Sequence, residues 1–314
     1  MTLMPSLSAF RAWSQDFYIA GTGAAQSAAA DGVEEQPFPS TASPTVNEHR
    51  LALAVVLASL VLFLLSVPFA RVKLPELWAF IPIYQSALAI NDLITATLLF
   101  TQFSILRSRA LLVLACGYLF TCAMVVVHGL SFPGLFAPTG LLGAGPQTTA
   151  WLYAFWHLGF PITVIVYARL KDRKSGNDTV QSSVRASSLY SIGAVGAAVV
   201  GLSLLATAGH GLLPEVMRGN GYTPILPVVV AVICLLSLVA LVQLWRSPRR
   251  STIDLWLMVA MCAWVFDIAL SALLNGGRFD LGFYAGRLYG LAAATFVLIH
   301  EQNGRALREA LADA

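Results

Sequence analysis

The chain has 314 residues, of which 57% are hydrophobic and only 11% charged. A soluble globular chain carries roughly 25% charge, so that class is excluded. The formal charge of +3 forms no basic aromatic surface for nucleic acid, and the four cysteines (Cys116, Cys122, Cys234, Cys262) lie inside apolar runs without metal-ligand or disulfide-framework spacing. Those runs, each about 20 residues long, are enough to cross roughly 30 Å of hydrocarbon. Lipid supplies no backbone hydrogen bonds, which leaves helices or a closed barrel. The runs are continuous rather than alternating, so the predicted class is all-α: a polytopic integral membrane protein.

Residues 1–47, rich in Ala, Gly, Ser and Pro, read as a disordered cytoplasmic tail with no signal-peptide pattern. Residues 48–300 form the predicted membrane domain. Its first span covers about Leu51 to Ala70, its second Trp78 to Phe103, and its third Ala110 to Phe132. A Gly/Pro-rich connector, SFPGLFAPTGLLGAGPQTT, carries no charge and is expected to lie in or against the bilayer. The fourth span follows at Thr148 to Leu170. The polar stretch RLKDRKSGNDTVQSSVRASS then marks a solvated loop between two four-helix halves, without a convincing repeat relating them. Spans five to eight are expected at Ser187 to Leu212, Pro224 to Trp245, Asp254 to Leu274 and Leu281 to His300. Residues 301–314 continue the last span as an amphipathic helix (Leu307, Ala310, Leu311, Ala314).

Eight spans put both termini on one side. That side holds fourteen of the 19 basic residues; the opposite loops hold Arg71, Lys73, Arg218 and Arg278, and Arg287 lies within a span. The positive-inside rule makes both termini cytoplasmic and the connector extracytoplasmic.

Ionisable groups within spans are costly and face the protein interior. Asp267 and Arg287 lie at matching depths in spans seven and eight, so an ion pair is expected; it serves as a latch between helices, or Arg287 holds a ligand anion. Gly282, Gly286 and Gly290 repeat at four-residue spacing, the small-xxx-small pattern of close packing. Gly193, Ala197 and Gly201 form a weaker version. Asn91 and Asp92 sit mid-span with Thr95 one turn on, either as a polar cluster holding helices in register or as a proton or cation site. His128 and His157 flank the connector. Pro161 stands four residues after His157, so its ring frees the His157 carbonyl and is expected to kink the helix. With Tyr153 and Trp156 alongside, the two histidines read either as hydrogen-bonded structural residues or as the lining of an outward-facing ligand pocket. Haem or a metal at His128 and His157 is a minor alternative, and no firm metal site or cofactor is implied. Signatures of catalysis are missing: no H-E-x-x-H, nucleophile elbow, Walker loop or G-x-G-x-x-G. The chain is therefore read as a non-enzyme.

Three stretches carry a resemblance: NDLITATLLFTQFSILRSRALLVLACGYLF, HGLSFPGLFAPTGLLGAGPQTTAWLYAFWHLGFP and DLGFYAGRLYGLAAATFVLIH. They resemble the fourth type of membrane-associated sensor domain (the MASE family), over about residues 50 to 300. The resemblance implies a bacterial inner-membrane input module; the signal it detects is expected to be extracytoplasmic or intramembrane, with an unknown small molecule as the ligand. It also implies a cytoplasmic output, a diguanylate cyclase (GGDEF) or a histidine kinase. No such output follows in these 314 residues, so it is expected in cis in a longer chain or in trans. A homodimer with tails side by side is the expected assembly. A small-solute transporter or channel using Asp92, with Asp267 and Arg287 as gates, is the competing reading.

Overall fold

The computed structural model describes residues 42–172, 183–219 and 221–312. Its helices are α1 (Val46–Ser66, with a 3-10 turn Val67–Phe69), α2 (Phe80–Leu106), α3 (Arg109–Ser131), α4 (Thr148–Lys171), α5 (Val184–Ala206), α6 (Leu226–Arg246), α7 (Thr252–Ile268, continued by a π-helical segment Ala269–Leu274) and α8 (Leu281–Ala312). All eight are long and apolar enough to span a membrane. A two-residue hairpin, β1 (Met217–Arg218) and β2 (Gly221–Tyr222), lies between α5 and α6. The expected tail lies outside the described residues up to position 41. Helix α1 begins at Val46, where Thr45 and Glu48 cap it reciprocally (Thr45 N–H to Glu48 Oε2, 2.6 Å).

Burial sorts the helices. Over an 18-residue apolar stretch of each span, α1 and α5 bury only 6% and 11% of positions, so they are the periphery, whereas α7 buries 61%. The core is α2, α3, α4, α7 and α8, and it joins the two halves of the sequence: α4 packs on α6, α3 on α5 and α2 on α8. The helices on either side of the polar stretch after α4 therefore pack into one bundle rather than two separate halves, and positions 173–182 of that stretch lie outside the described residues. Helix α5 stops at Ala206, six residues before the expected end. Thr207 leaves helical geometry (φ −101°, ψ −81°), and a Gly-containing 3-10 turn, His210–Leu212, follows. A Cβ placed on Gly193 or Gly201 meets nothing within 4 Å, so the expected close packing on that stripe is not made.

The four loops at one end are knitted into a layer. Leu74 N–H donates to Phe279 O (3.0 Å), Leu281 N–H to Val72 O (2.9 Å), and Lys73 Nζ meets Asp280 Oδ1 at 2.6 Å. Gln147 donates to Met217 O (2.7 Å) and accepts from Val216 and Met217 N–H, which ties the connector to the hairpin. At the other end Ser247 donates to Asp172 (2.7 Å), and Thr252 N–H to Ala42 O (2.9 Å).

Candidate functional site

Beneath the loop layer, a narrow cavity of about 50 Å³ lies between α3, α4, the hairpin, the π segment and α8. Seven polar side chains give it its chemistry: His128, Thr149, Tyr153, Tyr222, Ser271, Arg278 and Arg287. Above it a wider vestibule of about 430 Å³ is walled by the connector and the loop before α8, and it shares Phe132, Thr149 and Arg278 with the inner cavity.

Each arginine is held by aromatic faces. Arg278 sits 5.2 Å from the centre of the Phe132 ring and donates to Thr149 Oγ1 (2.7 Å) and weakly to Met217 Sδ (3.6 Å). The loop that presents it is tightly made: Asn275 Nδ2 donates to Gly277 O, Gly276 N–H to Asp280 Oδ2, and Phe279 takes φ +67°. Left-handed backbone at a bulky residue is strained and persists only where its surroundings enforce it. Arg287, 6% exposed, lies 3.6 Å from the centre of the Phe283 ring and 5.5 Å from that of Tyr153. Its guanidinium donates to Phe283 O, one turn back (2.9 Å). Cation–π contact recovers part of the cost of burying these charges. Burial pushes Arg278 below the ordinary arginine range; Tyr222 opposes that shift and the Arg287 charge adds to it. Burial likewise pushes Tyr222 up, opposed by its hydrogen bond from Asn275 and by both arginines. The two guanidiniums are thus within electrostatic reach of each other.

Tyr153 joins this cavity to a second polar cluster. Its ring stacks on His157 (centroids 3.7 Å apart), and its hydroxyl meets Ser271 Oγ at 2.7 Å and Asp267 Oδ1 at 3.3 Å. His157 Nδ1 contacts Tyr153 O (2.8 Å), and a carbonyl can only accept, so Nδ1 carries a proton. His157 Nε2 lies 3.3 Å from Asp267 Oδ2. Ser271 also donates to Asp267 O (2.8 Å), and Tyr222 Oη to Ser271 O (3.1 Å), so the π segment is stitched into the cluster from both sides. Such π segments often mark functional sites.

The expected Asp267–Arg287 ion pair is not formed: Asp267 pairs with His157, and no described carboxylate oxygen lies within 4.0 Å of an arginine nitrogen of Arg287. Gly286 and Gly290 face Asp267 instead. A Cβ on Gly286 would stand 2.6 Å from Asp267 O, and one on Gly290 2.7 Å from Asp267 Oδ2; one on Gly282 would meet Leu270 O at 2.5 Å. His128 lines the cavity and hydrogen-bonds through Nδ1 to the Gln85 amide. His157 and Trp156 lie behind Tyr153 rather than on the cavity wall. With both nitrogens of His157 engaged, the pair of histidines is a poor donor set for haem or a metal. Among the described residues no group of three or more His, Cys, Asp or Glu side chains could hold a metal ion. Asn91 donates to Thr295 on α8 (2.9 Å), and buried Asp92 hydrogen-bonds with Thr121; neither reaches the cavity. Pro161 lies inside a continuous α4, and the carbonyl it frees at His157 accepts from Trp264 Nε1 (3.4 Å).

A family model described as a membrane-associated sensor, integral membrane domain (MASE4) matches residues 75–300. The chain belongs to this family. No curated protein and no solved structure matches it. It is thus a multi-pass membrane protein with a sensor domain, and the match runs from the loop before α2 through the membrane part of α8, which takes in every residue of the cavity. Within this MASE4 domain, sequence reasoning missed Gln85, Thr149, Tyr222, Ser271 and Arg278. Gln85, Thr149 and Ser271 are ordinary polar residues within helical segments, and Tyr222 lies in the short strand β2. Arg278 stood out as one of few basic residues on its side, and that was the available signal.

Proposed function

We propose that this MASE4 domain sits in a bacterial inner membrane with both termini cytoplasmic, senses a small molecule at the cavity beneath the loop layer, and passes its state to a cytoplasmic output through α8. The observation that carries this reading is the continuity of α8. One helix of 32 residues, roughly 48 Å long at 1.5 Å per residue, holds Arg287 at the cavity and runs on past the end of the span. Its Gly286/Gly290 face lies on Asp267, which is bonded to Tyr153 of the cavity wall. Occupancy of the cavity, acting on Tyr153 and Arg287, has a short path to the packing of α8 on α7. A ligand shifts such an equilibrium only through unequal affinity for two packings. A homodimer would bring two α8 extensions together for a cyclase or kinase output, in cis or in trans.

The test uses the full chain in lipid nanodiscs, with hydrogen exchange read along α8 before and after adding the small-molecule fraction of culture medium. A joint change at residues 283–290 and 300–312 is expected. Solute flux in proteoliposomes without any change along α8 would replace the sensor reading with a transporter.

A further inference from the structure

We infer that the inner cavity binds the carboxylate group of a small organic acid between Arg278 and Arg287, with the apolar body of the acid in the vestibule above. The inference deepens the sensory reading and takes its meaning from it, although binding is measurable on its own.

A guanidinium offers several N–H donors in a fixed fork. Here those donors are underused: Arg287 reaches its own-turn carbonyl at Phe283, and Arg278 reaches Thr149 Oγ1 and a thioether. The neighbouring carboxylates are already taken. Asp280 is engaged by Lys73 (2.6 Å) and Gly276 N–H (2.8 Å), and Asp267 by His157, Tyr153 and Ser271. Two cations facing one cavity, each without a counter-ion among the described residues, call for an anion to enter it. Planar guanidinium forks match planar two-oxygen acceptors. A volume of about 50 Å³ suits a carboxylate group, while the rest of a molecule fits the roughly 430 Å³ outside. Trp78, Phe132, Phe279, Pro138 and Pro146 make that outer wall apolar, and Glu76 on it disfavours a second negative charge. The class is therefore a monocarboxylate with an apolar body.

Titration of the full chain in nanodiscs, followed by calorimetry, tests this with benzoate as the probe. Butyrate serves as a smaller acid, benzamide as the neutral counterpart, succinate as the doubly charged one, and nitrate and phosphate as bare anions. Benzoate or butyrate is expected to bind, with benzamide, succinate and the inorganic anions at least tenfold weaker. Arg287→Met and Arg278→Gln are each expected to weaken binding at least tenfold; Arg278 lies in a loop, so its variant keeps the test alive if the helix variant misfolds. Failure of both acids to bind, equal binding of nitrate, or unchanged affinity in Arg278→Gln would overturn the inference. If an acid binds but α8 exchange stays unchanged, the site stands and the sensory reading falls. If α8 responds to another molecule while neither acid binds, the reverse holds.

Discussion

Two buried charged groups in this bundle show opposite conditions. At the start of α7, fully buried Asp254 is saturated: Ser251 N–H (2.6 Å) and Oγ (2.9 Å), Tyr167 Oη (2.8 Å) and Lys171 Nζ all donate to it. Near the other end of the same bundle, Arg287 is almost as buried and has a single own-turn carbonyl and two aromatic faces. A completed pair closes a helix end and fastens α4 to α7. An incomplete one leaves charge directed into open space. The first arrangement serves the fold, and the second makes sense when something else completes it.

The sharpest way to break the contrast is to remove each charge. Asp254→Ala strands Lys171 and two hydroxyls, and losing one partner of a buried pair costs about 3–5 kcal/mol. The expected outcome is a large drop in thermal midpoint in detergent, or loss of the folded form. A variant that melts with the wild type would show that the contacts of Asp254 add nothing to the stability of the bundle. Gly286→Val comes next. Its Cβ would lie 2.6 Å from Asp267 O and 2.7 Å from Ser271 Cβ. Overpacking of this kind costs about 1–3 kcal/mol, and it should also disturb the Tyr153–Ser271 contact, which tyrosine fluorescence would report. Arg287→Met runs the other way. Removing an uncompensated buried cation while keeping an apolar stem against Phe283 should raise stability by about 1 kcal/mol, the pattern of a residue kept for function at a cost to the fold. A lower midpoint for Arg287→Met would mean the arginine is satisfied after all.

The spans were legible in the sequence because an apolar run of about 20 residues is a local property, and local properties survive without knowledge of neighbours. Pairing was harder. Matching depths placed Asp267 beside Arg287 along the membrane normal, but depth is one coordinate, and the turn of each helix about its axis is another. Gly286 and Gly290 face Asp267. At 3.6 residues per turn, Arg287 is rotated about 100° from Gly286, which takes it to the cavity and leaves Asp267 to His157. The glycine stripe contained that information, since the face that admits a neighbouring helix cannot also be the face of the arginine. Tyr222 and Arg278 were out of reach for another reason: a two-residue hairpin and a six-residue loop bring them together, and their contacts span dozens of residues.

Pro161 provides the finest comparison of satisfied with unsatisfied groups, now in the backbone. Its ring removes the helical partner of the His157 carbonyl, and Trp264 Nε1 takes that place at 3.4 Å, a long and therefore weak contact. Trp264→Phe leaves an aromatic ring beside His157 but removes the indole donor together with part of a buried, well-packed bicycle, so the total cost combines lost packing with a hydrogen-bond share of about 0.5–1 kcal/mol. In a Pro161→Ala background residue 161 regains an N–H for that carbonyl, and the same Trp264→Phe change should then cost less by that hydrogen-bond share, about 0.5–1 kcal/mol, with the packing cost unchanged. A double-mutant cycle measures the difference directly. Costs that simply add would mean the indole contributes packing alone. A cost that shrinks by that amount with the proline gone would show that α4 tolerates its missing backbone bond because α7 supplies the donor, from Trp264 one turn before the Asp267 that meets His157.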